Sequence, residues 1–179
     1  MEAFWAHGYE GASIALLTDA MGVSLSSLYA AFGSKEALYR EALELYGSDP
    51  PMSAGPKGST YRQLEQMLRR SAARFTEPGK PPGCMMLTGS LRGGAEASGA
   101  IRAAAHERGE RLADMAHWLR RAQVAGDLPQ EVDADGLASF YMAVLQGMSV
   151  QAVDGADAAA LSRIADFALA QWPGERPAK

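Results

Sequence analysis

The run Gly22-Val23-Ser24-Leu25-Ser26-Ser27-Leu28-Tyr29-Ala30-Ala31-Phe32-Gly33-Ser34-Lys35-Glu36 constrains the fold more than any other part of the sequence. Gly22 supplies the positive φ that a tight turn between two helices requires. Ser24 is a good N-cap, because its hydroxyl can accept from the unpaired amides of a helix start, so a helix is expected to begin there. In that helix Leu28 and Phe32 share one face, and Leu25, Ser26, Tyr29 and Ala30 lie outside it. Upstream, Ser13 can cap a short helix whose Ile14, Leu17 and Met21 fall at apolar spacing. Two short helices joined by a glycine-containing turn form a helix-turn-helix. The outer face of the second helix carries small residues, serine hydroxyls and one tyrosine, a surface slim enough to enter a major groove.

The rest of the chain is also helical in pattern. Helical segments are expected over roughly 1–7, 13–20, 24–31, 34–46, 59–75, 83–93, 96–125, 133–153 and 157–172, with no strand alternation and no internal repeat. The turn-rich stretch from Gly47 to Gly58 separates the first four segments from the remainder. Gly126-Asp127-Leu128-Pro129 ends the longest helix, with glycine just past the end and proline beyond it. An all-α protein follows, with an N-terminal domain over 1–46 that contains a three-helix helix-turn-helix unit, and a second helical domain over 59–172. A hydrophobic content of 47% fits globular domains. The single cysteine, Cys84, leaves no partner for an intrachain disulfide, and it lies in an apolar run that reads as core. No signal-peptide pattern is read at the N-terminus, and a cytoplasmic location is expected.

The residues Gly8-Tyr9, Ser13-Ile14, Leu17-Thr18-Asp19-Ala20-Met21-Gly22-Val23-Ser24, Ser27-Leu28-Tyr29 and Phe32-Gly33-Ser34-Lys35-Glu36-Ala37-Leu38 resemble, in register, the DNA-binding domain of the tetracycline-repressor (TetR) family. The resemblance covers about the first quarter of the chain. It implies a ligand-responsive transcriptional regulator, most simply a repressor released from a palindromic double-stranded operator by a small molecule. It implies that Tyr29 and Lys35 touch phosphates, that the start of the Ser13-capped helix does so too, and that Leu25, Ser26, Ser27, Ala30 and Ala31 face bases or the sugar-phosphate backbone. None of these five side chains can make the bidentate base contacts of Arg, Asn or Gln, whereas Leu and Ala suit thymine methyl groups. It also implies a homodimer whose two reading helices sit about one turn of DNA apart, ~34–36 Å or a multiple. Finally, it implies an effector held in the second domain, for which Phe75, Met85, Met86, Met115, Trp118, Tyr141 and Leu145 are the candidates. Soft and aromatic side chains suit an adaptable apolar pocket.

Helix 133–153 is apolar nearly all round, and no charged residue lies between Gly136 and Val153. Its Ser139, Gln146, Ser149 and Gln151 argue against a membrane-spanning helix. Such a helix needs cover on more than one side, and a second copy of the chain is expected to provide it. The expected interface residues are Val144 and Met148 on this helix, and Leu161, Ile164 and Ala168 on the next.

Charge runs against simple DNA binding. Residues 1–46 hold two basic and six acidic residues, a net of −4, while the remainder is neutral. Phosphate neutralisation carries much of non-specific DNA affinity. The helix ahead of Gly8 is short for the family, so that either Met1 is not the start of the natural chain or part of that helix is missing. A second reading is therefore a small-molecule-binding helical protein without DNA binding. A third, a helical enzyme, rests on His106, Glu110, Asp114 and His117, which share one helical stripe. No second cluster is apparent to complete a metal site, and no nucleophile motif or phosphate-binding glycine loop is present. No catalytic residues, metal or other cofactor are expected.

Overall fold

The computed structural model describes residues 1–47, 59–88 and 94–175, which contain nine α-helices and no strand. They are α1 (Glu2–Gly11), α2 (Ile14–Met21), α3 (Leu25–Phe32), α4 (Lys35–Gly47), α5 (Thr60–Phe75), α6 (Met85–Thr88), α7 (Ser98–Ala125), α8 (Ala134–Val153) and α9 (Ala158–Leu169). A 3₁₀ turn over Ala95–Ala97 precedes α7. The all-α expectation therefore holds. Three boundaries differ. Helix α1 runs beyond residue 7 but bends at Gly8, whose φ of 67° and ψ of 179° leave the helical region. The helix expected over 83–93 is seen as α6, and residues 89–93 lie outside the described residues. Helix α9 stops at Leu169, after which a turn buries Trp172 with its ring 6.5 Å from that of Tyr61.

The chain divides into two compact units, Met1–Asp49 with Cys84–Arg108, and Pro50–Gly83 with Gly109–Lys179. The linear division into 1–46 and 59–172 does not express this grouping. Its cause is the core of the first unit. The rings of Phe4 and Tyr9 lie 5.0 and 5.3 Å from that of Tyr39, and Trp5 lies 5.1 Å from Tyr46, all edge-on as aromatic quadrupoles favour. Leu17 and Leu28 close this cluster from α2 and α3. Met85 and Met86 of α6 and Ala97, Ala100 and Ala104 around the start of α7 complete it. Four short helices have little apolar surface to enclose, and these later residues supply the missing cover. Cys84 is half-buried against the same core.

The second unit is a bundle of α5, α8, α9 and the later part of α7. Leu64, Leu68 and Ala72 of α5 fall at i, i+4 spacing on one face of the helix and are buried. Arg69 of α5 donates to Asp166 of α9 at 2.9 Å, and Arg120 of α7 pairs with Asp135 of α8. The amide and hydroxyl of Thr60 both donate to Asp127, at 3.0 and 2.7 Å, so that a side chain 67 residues away caps α5. Among the described residues no single helix is long and apolar enough to cross a membrane.

Candidate nucleic-acid interface

Helices α2 and α3 turn by 92° about Gly22, which adopts φ 65° and ψ 31°. This left-handed conformation is open to glycine at little cost and lets the turn close within three residues. Both expected caps form. Ser13 Oγ accepts from the Leu16 amide and Ser24 Oγ from the Ser27 amide, each at 3.1 Å. Leu28 is buried, Phe32 half-buried, and the outward residues of α3 are exposed, among them Leu25 (54%) and Tyr29 (43%). Ser13, Ser26, Ser27, Ala30 and Ala31 are exposed as well. All seven residues thus lie on the accessible side of the motif, with Tyr29 turned away from the core that Leu28 anchors.

Lys35, the eighth residue named for DNA contact, opens α4 and is half-buried. Its ammonium lies 4.5 Å from the centre of the Tyr9 ring, within cation–π range. The contact fixes where the charge sits at the N-terminus of α4, where the helix dipole also favours an anion. The other cation of this segment, Arg40, is paired with Glu36 at 2.6 Å.

The geometry accounts for part of the acidic balance of the head. Glu10 accepts from the amide of Gly94 at 2.6 Å, just before the 3₁₀ turn that leads into α7. The Glu36 carboxylate lies against Gly99 in the first turn of α7, where even a methyl side chain would collide with it. Both carboxylates therefore meet the positive end of a helix inside the first unit. Sequence reading missed this use of Glu10 and Glu36, because neither contact has a local signature.

The other candidate residues fall in different places. Phe75, Met115, Trp118, Tyr141 and Leu145 belong to the second unit, whereas Met85 and Met86 belong to the first and complete its core. Phe75, Met115, Tyr141 and Leu145 are buried. Trp118 is half-buried and its indole N–H donates to Gln63 Oε1 at 3.1 Å. The Tyr141 hydroxyl donates to the Ala168 carbonyl at 3.3 Å. Of the five residues expected at a subunit interface, Met148, Leu161 and Ala168 are buried within the chain itself, and Val144 and Ile164 are half-buried. The outward apolar stripes are instead Phe140, Val144, Gly147 and Val150 on α8, and Ile164 with Phe167 on α9, the last 77% exposed. An apolar helix does not reveal by periodicity which side its own chain covers, which is why sequence reading named the inner side. His106, Glu110, Asp114 and His117 are all exposed on α7. Among the described residues no three His, Cys, Asp or Glu side chains gather into a group able to hold a metal.

Comparison with known proteins accords with this geometry. Residues 1–42 match the family model described as bacterial regulatory proteins, tetR family. The structure superimposes with a TM-score of 0.90 on the TetR family transcriptional regulator CifR, a cysteine mutant complexed with 26-base-pair double-strand operator DNA. That protein is 40% identical, with 96% of this chain and 92% of that chain covered. The HTH-type transcriptional repressor ComR of Escherichia coli is 29% identical over 97% of this chain and 85% of its own length. The reduced form of NemR from E. coli shares the fold at a TM-score of 0.76, with 17% identity over 99% of this chain and 98% of that one. The chain belongs to the TetR family. It is a DNA-binding transcriptional regulator.

Proposed function

We propose that the protein is a repressor that binds a palindromic double-stranded operator as a homodimer and leaves it when a small molecule binds the second unit. The observation that carries this reading is the 40% identity to a regulator held on operator DNA, spread over 92% of that chain rather than over the reading head alone. The first unit reads DNA. Ser13, Tyr29 and Lys35 hold phosphates, and Leu25, Ser26, Ser27, Ala30 and Ala31 line the groove face. The second unit holds the effector near Trp118, with Phe75, Met115, Tyr141 and Leu145 as apolar walls and the Trp118–Gln63 pair as a polar element. The outward stripes of α8 and α9 meet their counterparts in a second copy, an isologous contact that matches a palindrome. The effector acts by binding one dimer geometry better than the operator-bound one. Binding is the whole activity: no reaction, cofactor or membrane takes part, and the protein works in the cytoplasm, where its DNA is.

The test uses the purified full-length protein and the DNA upstream of its own gene. A mobility shift that weakens as salt rises, and that is reversed by a compound which also raises the melting temperature, is the expected result. A protein that binds small molecules but shifts no promoter fragment at any salt supports the second reading, which the net charge of −4 over residues 1–46 favours.

A further inference from the structure

From Gly11 to Ser34 the sequence contains no Arg, Lys, Asn, Gln, His or Glu, and its one charged residue is Asp19. Among these, Arg and Lys read guanine and Asn and Gln read adenine by paired hydrogen bonds, and the reading motif has none of the four. The serine and threonine hydroxyls are engaged as well. Ser13 and Ser34 cap α2 and α4, accepting from the amides of Leu16 and Ala37. The Thr18 hydroxyl donates back to the carbonyls of Ile14 and Ala15. Ser24 Oγ lies 2.9 Å from both Ser26 Oγ and Ser27 Oγ while it accepts from the Ser27 amide. All six hydroxyls thus bond within the head. The large side chains that the motif presents outward are apolar or aromatic: Met21 (41% exposed), Val23 (37%) and Leu25 (54%), with Tyr29 beyond them.

Leu25 is the first residue of α3, and the N-terminal residues of a reading helix are those that reach base edges. The major groove offers one apolar group, the C5 methyl of thymine. We propose that Leu25 reads a thymine methyl group in each operator half-site, so that the regulator selects its site by where methyl groups stand rather than by paired hydrogen bonds to bases. The proposal rests on the placement of α3 in the groove. It also suits the shortage of cations in the head, since methyl contacts gain affinity by burying apolar surface and not by neutralising phosphate.

Selection from a random duplex pool by the full-length protein defines the half-site. Each thymine of the selected duplex is then replaced by deoxyuridine, which keeps the base pair and removes the methyl alone. With about one methyl's worth of burial lost in each half-site, the parent is expected to bind about tenfold more weakly when one symmetric pair of positions is substituted. The Leu25→Ala variant, changed at an exposed position, is expected to remain folded and to bind the thymine and uracil duplexes equally. A parent that tolerates uracil at every position, a selected half-site without thymine, or a Leu25→Ala protein that keeps the whole uracil penalty overturns the proposal. A pool that yields no selected sequence overturns the placement of α3 itself, an outcome distinct from these three.

Discussion

Lys35→Gln tests how this head holds DNA with so few cations. Residues 1–46 contain two, and Arg40 is ion-paired with Glu36 at 2.6 Å. Lys35 is poised over the Tyr9 ring at the start of α4. If each Lys35 of a dimer neutralises one phosphate, the variant loses two contacts, and the slope of log K against log salt becomes shallower by about 1.8. Between 50 and 200 mM salt, the affinity gap between parent and variant then narrows by about twelvefold, fourfold raised to that slope difference. The fold should survive, because a cation–π contact at a partly exposed position contributes about 0.5–1 kcal/mol, a small part of the ~5–15 kcal/mol that holds a typical domain. Fluorescence anisotropy on a labelled operator over a salt series gives both slopes, and a thermal melt controls for folding. Arg40→Gln is the comparison, expected to change the slope by less than half as much because its charge is already met by Glu36. Parallel salt plots for Lys35→Gln and the parent, or an equal change in Arg40→Gln, would refute the reasoning.

Tyr29→Ala is expected to weaken operator binding about tenfold or more with an unchanged melting curve, since the 43% exposed ring leaves the core untouched and ~1.4 kcal/mol is a factor of ten; parent-like binding to a mapped operator would count against it. Gly83→Ala should destabilise the second unit by about 2 kcal/mol or more in urea unfolding, because φ is +76° and the new Cβ would lie 2.8 Å from the Ser149 carbonyl oxygen. A change under half that size would show that the turn relaxes. Ile164→Arg with Phe167→Asp should give a folded monomer in sedimentation, with operator affinity reduced on the order of a hundredfold as the two linked heads lose their avidity. A dimer that persists would move the interface elsewhere. A charge at Ala168 is the wrong probe, because that residue is 3% exposed within its own chain and would disturb the core instead.

What this sequence determined by itself is local. Ser13, Ser24 and Gly22 act within four residues of where they stand, so their caps and turn were legible, and with them the helix-turn-helix and the outward direction of Tyr29 and Leu25. The spacing of Leu64, Leu68 and Ala72 likewise determined the inner face of α5, because polar residues mark its other side. Tertiary structure decided the rest. Residues 84–108 joined the reading head because its aromatic core needed cover, Glu10 met Gly94 from 84 residues away, and Asp127 capped α5 from 67. On α8 and α9 the apolar pattern surrounds most of the helix, so periodicity alone had no preferred direction. Packing within the chain took Met148, Leu161 and Ala168 inward and left Phe140, Val150 and Phe167 outside. A contact between distant residues depends on how whole helices pack, and hydrophobic spacing along one helix carries no record of which neighbour it will meet.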